Sequence, residues 1–196
     1  MLEAGVDVCA VDISASQTRV LEREARDRGL EPEIVVGYMC SFTIEKEFNL
    51  IILPYETIRY ALTPGRQLSC LRQVRRHLEP NGKVVLDFSR PEPEWSESPQ
   101  TLRADFTHEG DDYLLISTFR LSDEIEQILH VDERLYCEGT LFGEHTVEIA
   151  RPTKREFEHL VERAGFNDWK VYADHEGTPV SEASSKSMVW HLNSPK

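Results

Sequence analysis

Four short stretches of this 196-residue chain set polar or polarisable side chains directly after apolar runs. They are "VDIS" at Asp12, "GYMCS" at Met39 and Cys40, "PYE" at Pro54, Tyr55 and Glu56, and "SRPEP" after Phe88. Asp12 is the most telling of them. An acceptor-only carboxylate on a short side chain at a strand end can take two hydrogen bonds from the vicinal hydroxyls of a ribose. It can equally serve as a solvated cap on the helix that follows. Tyr55, Glu56, Tyr60, His108 and His145 are the titratable groups available for proton transfer, each with an ordinary surface or packing role as its alternative. Metal chemistry is not expected: Cys9, Cys40, Cys70 and Cys137 are far apart and form no CxxC pair, and the seven histidines are scattered. Reduced, mostly buried thiols are the simpler reading. There is no GxSxG elbow, P-loop or HExxH.

Positioning these residues requires strands that end where they stand. Val6, Val8, Ala10 and Val11 make a short strand ending at Asp12, and Ser14 with Gln17 makes a capping box for the helix behind it. That helix carries Val20, Leu21 and Ala25 on one side and ends at Gly29. "EIVVG" is a second strand. "FNLIILP" is a third, and its continuous Leu50 to Leu53 run predicts burial on both faces, as in a parallel sheet. "GRQLSCLRQVRRHL" puts Leu68, Leu71, Val74 and Leu78 on one helical stripe, "EPNG" is a turn, and "KVVLDF" is another buried strand. Strands and helices alternating at this spacing predict an α/β domain of right-handed βαβ units.

The pattern changes after Pro91. "PEPEWSESPQ" is a connecting loop, and "TLRADFTH", "DYLLISTFRL", "EQILHVDERLYCE" and "EHTVEIA" read as antiparallel strands joined by turns at "HEGDD" and "EGTLFGE". Residues 99–150 are therefore expected to be a β-hairpin insertion, a lid or a dimer element, within a single domain spanning 1–196. The α/β pattern then resumes. Thr153 and Glu156 form a capping box, Phe157, Leu160, Val161 and Ala164 an apolar stripe, Gly165 a stop, and "DWKVYAD" with "SMVWHL" a closing strand pair.

The formal charge of −13 lacks the basic footprint a nucleic acid requires. It suits either an ordinary acidic protein or one from a high-salt cytoplasm. No apolar run approaches the roughly 20 residues of a membrane-spanning helix, and the start lacks the pattern of a signal peptide, so a cytoplasmic location is expected.

"VDVCAVDIS", "FNLIILPYETIRYALTPGRQLSCLRQVRRHLEPNGKVVLDF" and "RPTKREFEHLVERAGF" together resemble the class I S-adenosylmethionine-dependent methyltransferases, in particular the small-molecule branch with hairpins inserted after the fifth strand. The resemblance covers nearly the whole chain, and its most specific part is the middle block. It implies a Rossmann-like methyltransferase sheet and methyl transfer from S-adenosylmethionine to a small-molecule acceptor. It also implies roles for single residues. Asp12 takes the ribose hydroxyls, Ile13 packs on one face of the adenine, Met39 and Cys40 cover the other face or meet its edge, and Pro54 and Tyr55 lie beside the methionine moiety. Ordinary core packing is the alternative for Met39 and Cys40, and a structural aromatic is the alternative for Tyr55.

Two departures from the family stand out. Tyr38 occupies the place where an acidic residue often meets the adenine amino group, and the first strand with its glycine-rich loop is absent, no glycine lying before Gly5. The absent strand belongs between the strand of Val8 and that of Ile51. Either the native chain begins upstream of Met1, which is the expectation here, or another segment fills the gap, or the two edges pair directly. A non-catalytic methyltransferase-like binding or assembly module is the alternative function.

Overall fold

The computed structural model describes residues 2–91, 99–180 and 186–194. Its elements, in order, are β1 (Cys9–Asp12), α1 (Ala15–Asp27), β2 (Glu33–Val36), β3 (Phe48–Leu53), α2 (Pro64–Arg76), β4 (Leu78–Ser89), β5 (Gln100–His108), β6 (Asp111–Asp123), β7 (Ile128–Cys137), β8 (Thr140–Ala150), α3 (Lys154–Arg163), β9 (Asp168–Tyr172) and β10 (Ser187–Asn193). They form three sheets: β1–β2, β3–β4–β10–β9 and β5–β6–β7–β8. The first is parallel, the second joins a parallel β3–β4 pair to the antiparallel β10 and β9, and the third is antiparallel throughout. This is an α/β, Rossmann-like sheet with an inserted antiparallel unit. The proline-rich loop before β5 falls in part on residues 92–98, outside the described residues.

The core lies where the periodicity of α2 and α3 predicts. Leu71 and Val74 of α2, Phe157 and Val161 of α3, and Leu86 of β4 are almost wholly excluded from solvent. Trp190 of β10 stacks on Phe88 at 5.9 Å and meets the edge of Phe157 at 4.9 Å. Offset and edge-on ring pairs of this kind add to what area burial already contributes. The second capping box is complete. Thr153 Oγ1 accepts the Glu156 amide hydrogen at 3.3 Å, and Glu156 Oε2 accepts the Thr153 amide hydrogen at 2.8 Å.

Several local expectations are corrected. The strand predicted from Val6 begins only at Cys9, and Val6 is exposed. At α1, Ser14 caps the helix but the reciprocal bond differs: the Ser14 amide hydrogen goes to Asp12 Oδ1 at 2.7 Å, leaving Gln17 no such partner to supply. Thr18 and Ala25 are the buried residues of α1, while Val20 and Leu21 are exposed, Leu21 at the margin of the same face. "EPNG" is not a clean turn before a strand. β4 starts at Leu78, and residues 79–82 bulge within it: Leu78 faces Phe48, the next registered pair is Lys83 with Leu50, and Asn81 takes φ +63°. "EGTLFGE" turns only at Glu138–Gly139, and Thr140 already begins β8.

The largest correction concerns β3. Leu50 and Ile52 are exposed at 43% and 46%, so the strand is not buried on both faces. Its outer edge is unpaired, as is the outer edge of β1, and the two do not pair with each other. Among the described residues no strand lies between them.

Candidate active site

The residues that could do chemistry stand at strand ends, and each has a local cause. Asp12 closes β1, and its Oδ1 is turned back onto the first amide of the Ser14 cap, an Asx-type bond that aspartate favours before a helix. Gly37 follows β2. A Cβ added there would lie 3.1 Å from Phe42 Cβ, a tight contact across the loop that carries Met39, and 3.6 Å from Val11, an ordinary one, so glycine lets this loop fold closely on itself. Pro54 closes β3, and Tyr55 and Glu56 behind it both adopt left-handed backbone, at φ +55° and +60°. Two consecutive non-glycine residues in that region cost about 1–3 kcal/mol each, and persist only where surrounding contacts over-determine them.

A cavity of about 440 Å³ lies between β1 and β3. Asp12, Met39, Pro54 and Tyr55 all line it, together with Val8 just before β1, Val11 of β1 and Leu50 to Leu53 of β3. Phe42 and His77 line it as well, stacked at 4.9 Å, with His77 Nδ1 3.0 Å from the Lys46 carbonyl oxygen. Its volume falls in the range of small-molecule sites, and its walls are mostly apolar with a few polar groups at the rim. The lining runs along β3 from Phe48 to Leu53, so the cavity follows the gap between the two open strand edges and reaches their carboxyl ends at Asp12 and Pro54, the side on which an open α/β sheet takes its ligands.

Four of the expected cofactor residues thus share one cavity, and two do not. Ile13 is 69% exposed and outside the lining. Cys40 turns away onto α2. Its Sγ lies 3.2 Å from the Arg66 carbonyl oxygen, and donation from the Cys70 thiol, then from Tyr38, holds the Cys40 thiol down at about 6 while raising that of Cys70. Tyr38 is thereby a partner of Cys40.

Of the proton-transfer candidates, Tyr55 is at the cavity and Tyr60 is outside its lining and half-exposed. His108 and His145 are exposed on β5 and β8. Glu56 is engaged: Oε1 accepts the Ser89 amide hydrogen at 2.8 Å and the Ser89 hydroxyl, and Oε2 pairs with the Arg59 guanidinium. Arg59 itself was not anticipated. It is 3% exposed, and its Nε donates to the Ala150 carbonyl oxygen at 2.7 Å. The signal available was the i,i+3 spacing of Glu56 and Arg59 in "ETIR".

S-adenosylmethionine can be tested against these residues. Asp12 has Ser14 as its partner among the described residues, through one oxygen, which leaves acceptor capacity for a sugar hydroxyl. The apolar wall suits a base, and the residues present fit the ribose and adenine end of the cofactor.

Residues 1–82 match the family model described as a methyltransferase domain. A stretch of 91 residues, 46% of this chain, is 32% identical to the cypemycin N-terminal methyltransferase of a Streptomyces species, and spans 36% of that protein. Among solved structures, an S-adenosylmethionine-dependent methyltransferase from Clostridium acetobutylicum superposes with a TM-score of 0.79 at 13% identity, covering 97% of this chain and 76% of that one. The sugar N-methyltransferase KedS8 from a Streptoalloteichus species superposes with a TM-score of 0.72 at 14% identity, covering 96% and 71%. Residues 1–82 are thus similar to a methyltransferase domain, and the fold is that of the Rossmann-like S-adenosylmethionine-dependent methyltransferases.

Proposed function

We propose that this protein binds S-adenosylmethionine in the cavity between β1 and β3 and transfers its methyl group to the amine of a small molecule. The observation that carries this is the convergence of Asp12, Met39, Pro54 and Tyr55, from three separate strand ends, on one cavity. The amine acceptor is drawn from the matched relatives, one named for the N-terminus of cypemycin and one for sugar nitrogen.

When bound, the cofactor supplies an electrophilic methyl on a sulfonium. Asp12 takes the ribose hydroxyls, Met39 flanks the adenine, and Pro54 and Tyr55 border the methionine end. For an in-line displacement a protein chiefly holds the reactants within about 3–3.5 Å and excludes water. The apolar cavity wall serves the second purpose. A neutral amine brings its own lone pair, so no dedicated base is demanded. The β5–β8 unit, residues 99–150 with their connections, acts as a lid over the acceptor. Its exposed Leu102, Phe106, Leu141 and Phe142 are a surface for a homodimer contact. Four free thiols suit a reducing cytoplasm.

Calorimetry with S-adenosylhomocysteine tests the reading, followed by transfer of labelled methyl to a panel of amino sugars and peptide N-termini. Absence of any binding heat overturns it. A second reading, a non-catalytic methyltransferase-like binding or assembly module, is favoured by the two open strand edges that border the cavity. Binding of S-adenosylhomocysteine without transfer to any amine selects it.

A further inference from the structure

The antiparallel sheet leaves the α/β unit after Ser89, the last residue of β4, and returns at Ala150, the last of β8. Both crossings are held by one ion pair. Glu56 takes the outgoing one, accepting from the Ser89 amide and hydroxyl. Arg59 takes the returning one, donating from Nε to the Ala150 carbonyl. Glu56 and Arg59 are themselves joined. The pair sits on the short 3₁₀ turn Thr57–Tyr60 and its preceding residue, directly after Tyr55. Thr57 Oγ1 ties the same turn back to the Pro54 carbonyl at 2.5 Å.

We propose that Glu56 and Arg59 are positioning residues of the methyl-transfer site. They register the antiparallel sheet against the left-handed Tyr55–Glu56 backbone, and so fix where Tyr55 stands at the cavity relative to the acceptor side. The inference rests on the proposed function for its ligand, while its geometry is independent of it. It removes Glu56 from the proton-transfer candidates, since three donors already occupy its two oxygens. It also explains the strained pair of residues: Glu56 can reach Ser89 and Arg59 together only because the chain turns sharply at Tyr55. Arginine is required at position 59. One planar fork donates in two directions, to a carboxylate and to a carbonyl, which an ammonium on a thinner stem does not reproduce.

A neutral Glu56 would leave Arg59 buried without its counter-charge, so loss of folding must be separated from loss of position. The experiment therefore compares Glu56→Gln, Arg59→Lys and the charge-free pair Glu56→Gln/Arg59→Met, each alone and on a Tyr55→Ala background, in the full chain. Two readouts are taken: amide hydrogen exchange across residues 54–61 and at Ser89, and calorimetric affinity for S-adenosylhomocysteine.

In each variant, exchange of the Thr57, Arg59 and Ser89 amides is expected to rise about tenfold or more while α3 is unchanged. Affinity is expected to fall about tenfold with Tyr55 present and less than about twofold with Tyr55→Ala, a coupling that a merely structural role would not produce. Equal losses on both backgrounds, or none on either, overturn the proposal. If the wild-type chain binds no S-adenosylhomocysteine, the functional reading fails, and exchange then decides the clamp: rates like those of wild type overturn it.

Discussion

Asp12 Oδ1 accepts the amide hydrogen of Ser14 at 2.7 Å, so the residue that ends β1 also helps to begin α1. One carboxylate oxygen is committed to the backbone, and this fixes the direction in which the other can be offered. The two readings open at this position, ribose acceptor and helix cap, are compatible roles of a single side chain.

Asp12→Asn keeps an oxygen for Ser14 and removes the charge and the second full acceptor. Affinity for S-adenosylhomocysteine is expected to fall at least about tenfold, in line with hydrogen bonds to charged groups, while helical circular dichroism is unchanged. Asp12→Ala should lose both affinity and part of the α1 signal. Unaltered affinity in both variants removes Asp12 from the site.

Cys40 should be the reactive thiol of the chain. Donation from Cys70 favours its thiolate, so reactivity is present at neutral pH and is lost as pH falls through about 6. Alkylation by iodoacetamide, read by mass spectrometry, should label Cys40 before Cys70, which is fully buried. A rate profile with its midpoint near pH 8.5, as for a free thiol, contradicts the arrangement.

His191 gives a stability change of predictable sign. Burial lowers its pKa, with Lys83 and His175 adding to the effect. The unfolded chain therefore takes the proton first, below about 6.5. Stability should fall as pH drops through that value and level off below the folded pKa. Urea midpoints at several pH values should show this slope in the wild type and lose it in His191→Gln.

The two faces of β3 and β4 predict opposite outcomes for the same substitution. Leu86 is fully buried, and Leu86→Ala should cost about 2–5 kcal/mol. Leu50 is 43% exposed beside a cavity that already exists, and Leu50→Ala should cost under about 1 kcal/mol. Denaturant unfolding at matched slope measures both, and equal costs would mean that the edge of β3 is covered in solution.

What the sequence made legible was what depends on near neighbours. Thr153 with Glu156, the stripe Phe157–Leu160–Val161–Ala164, and the hairpin chain from β5 to β8 all follow from spacings of a few residues. Patterns that presume a covering layer failed where none is present, as at Leu50 and Ile52 on β3. "EPNG" has the chemistry of a turn and keeps it, at Asn81, but the ladder resumes so soon that β4 absorbs it. Asp12, Met39, Pro54 and Tyr55, read from strand ends, line one cavity. Glu56 reads as a surface or packing residue and Arg59 goes unnoticed, because their decisive partners, Ser89 and Ala150, lie 33 and 91 residues away.

The open edges of β1 and β3 have a consequence for how the molecule comes apart. No backbone ladder crosses from the β1–β2 sheet to the β3–β4–β10–β9 sheet among the described residues, so the seam between them is carried by side chains and loops alone. The first forty residues can then open as a cooperative unit of their own while Trp190, Phe88 and Phe157 stay packed, and global unfolding would be the second event and not the first. Any polypeptide that zips into that seam would fuse two foldons into one.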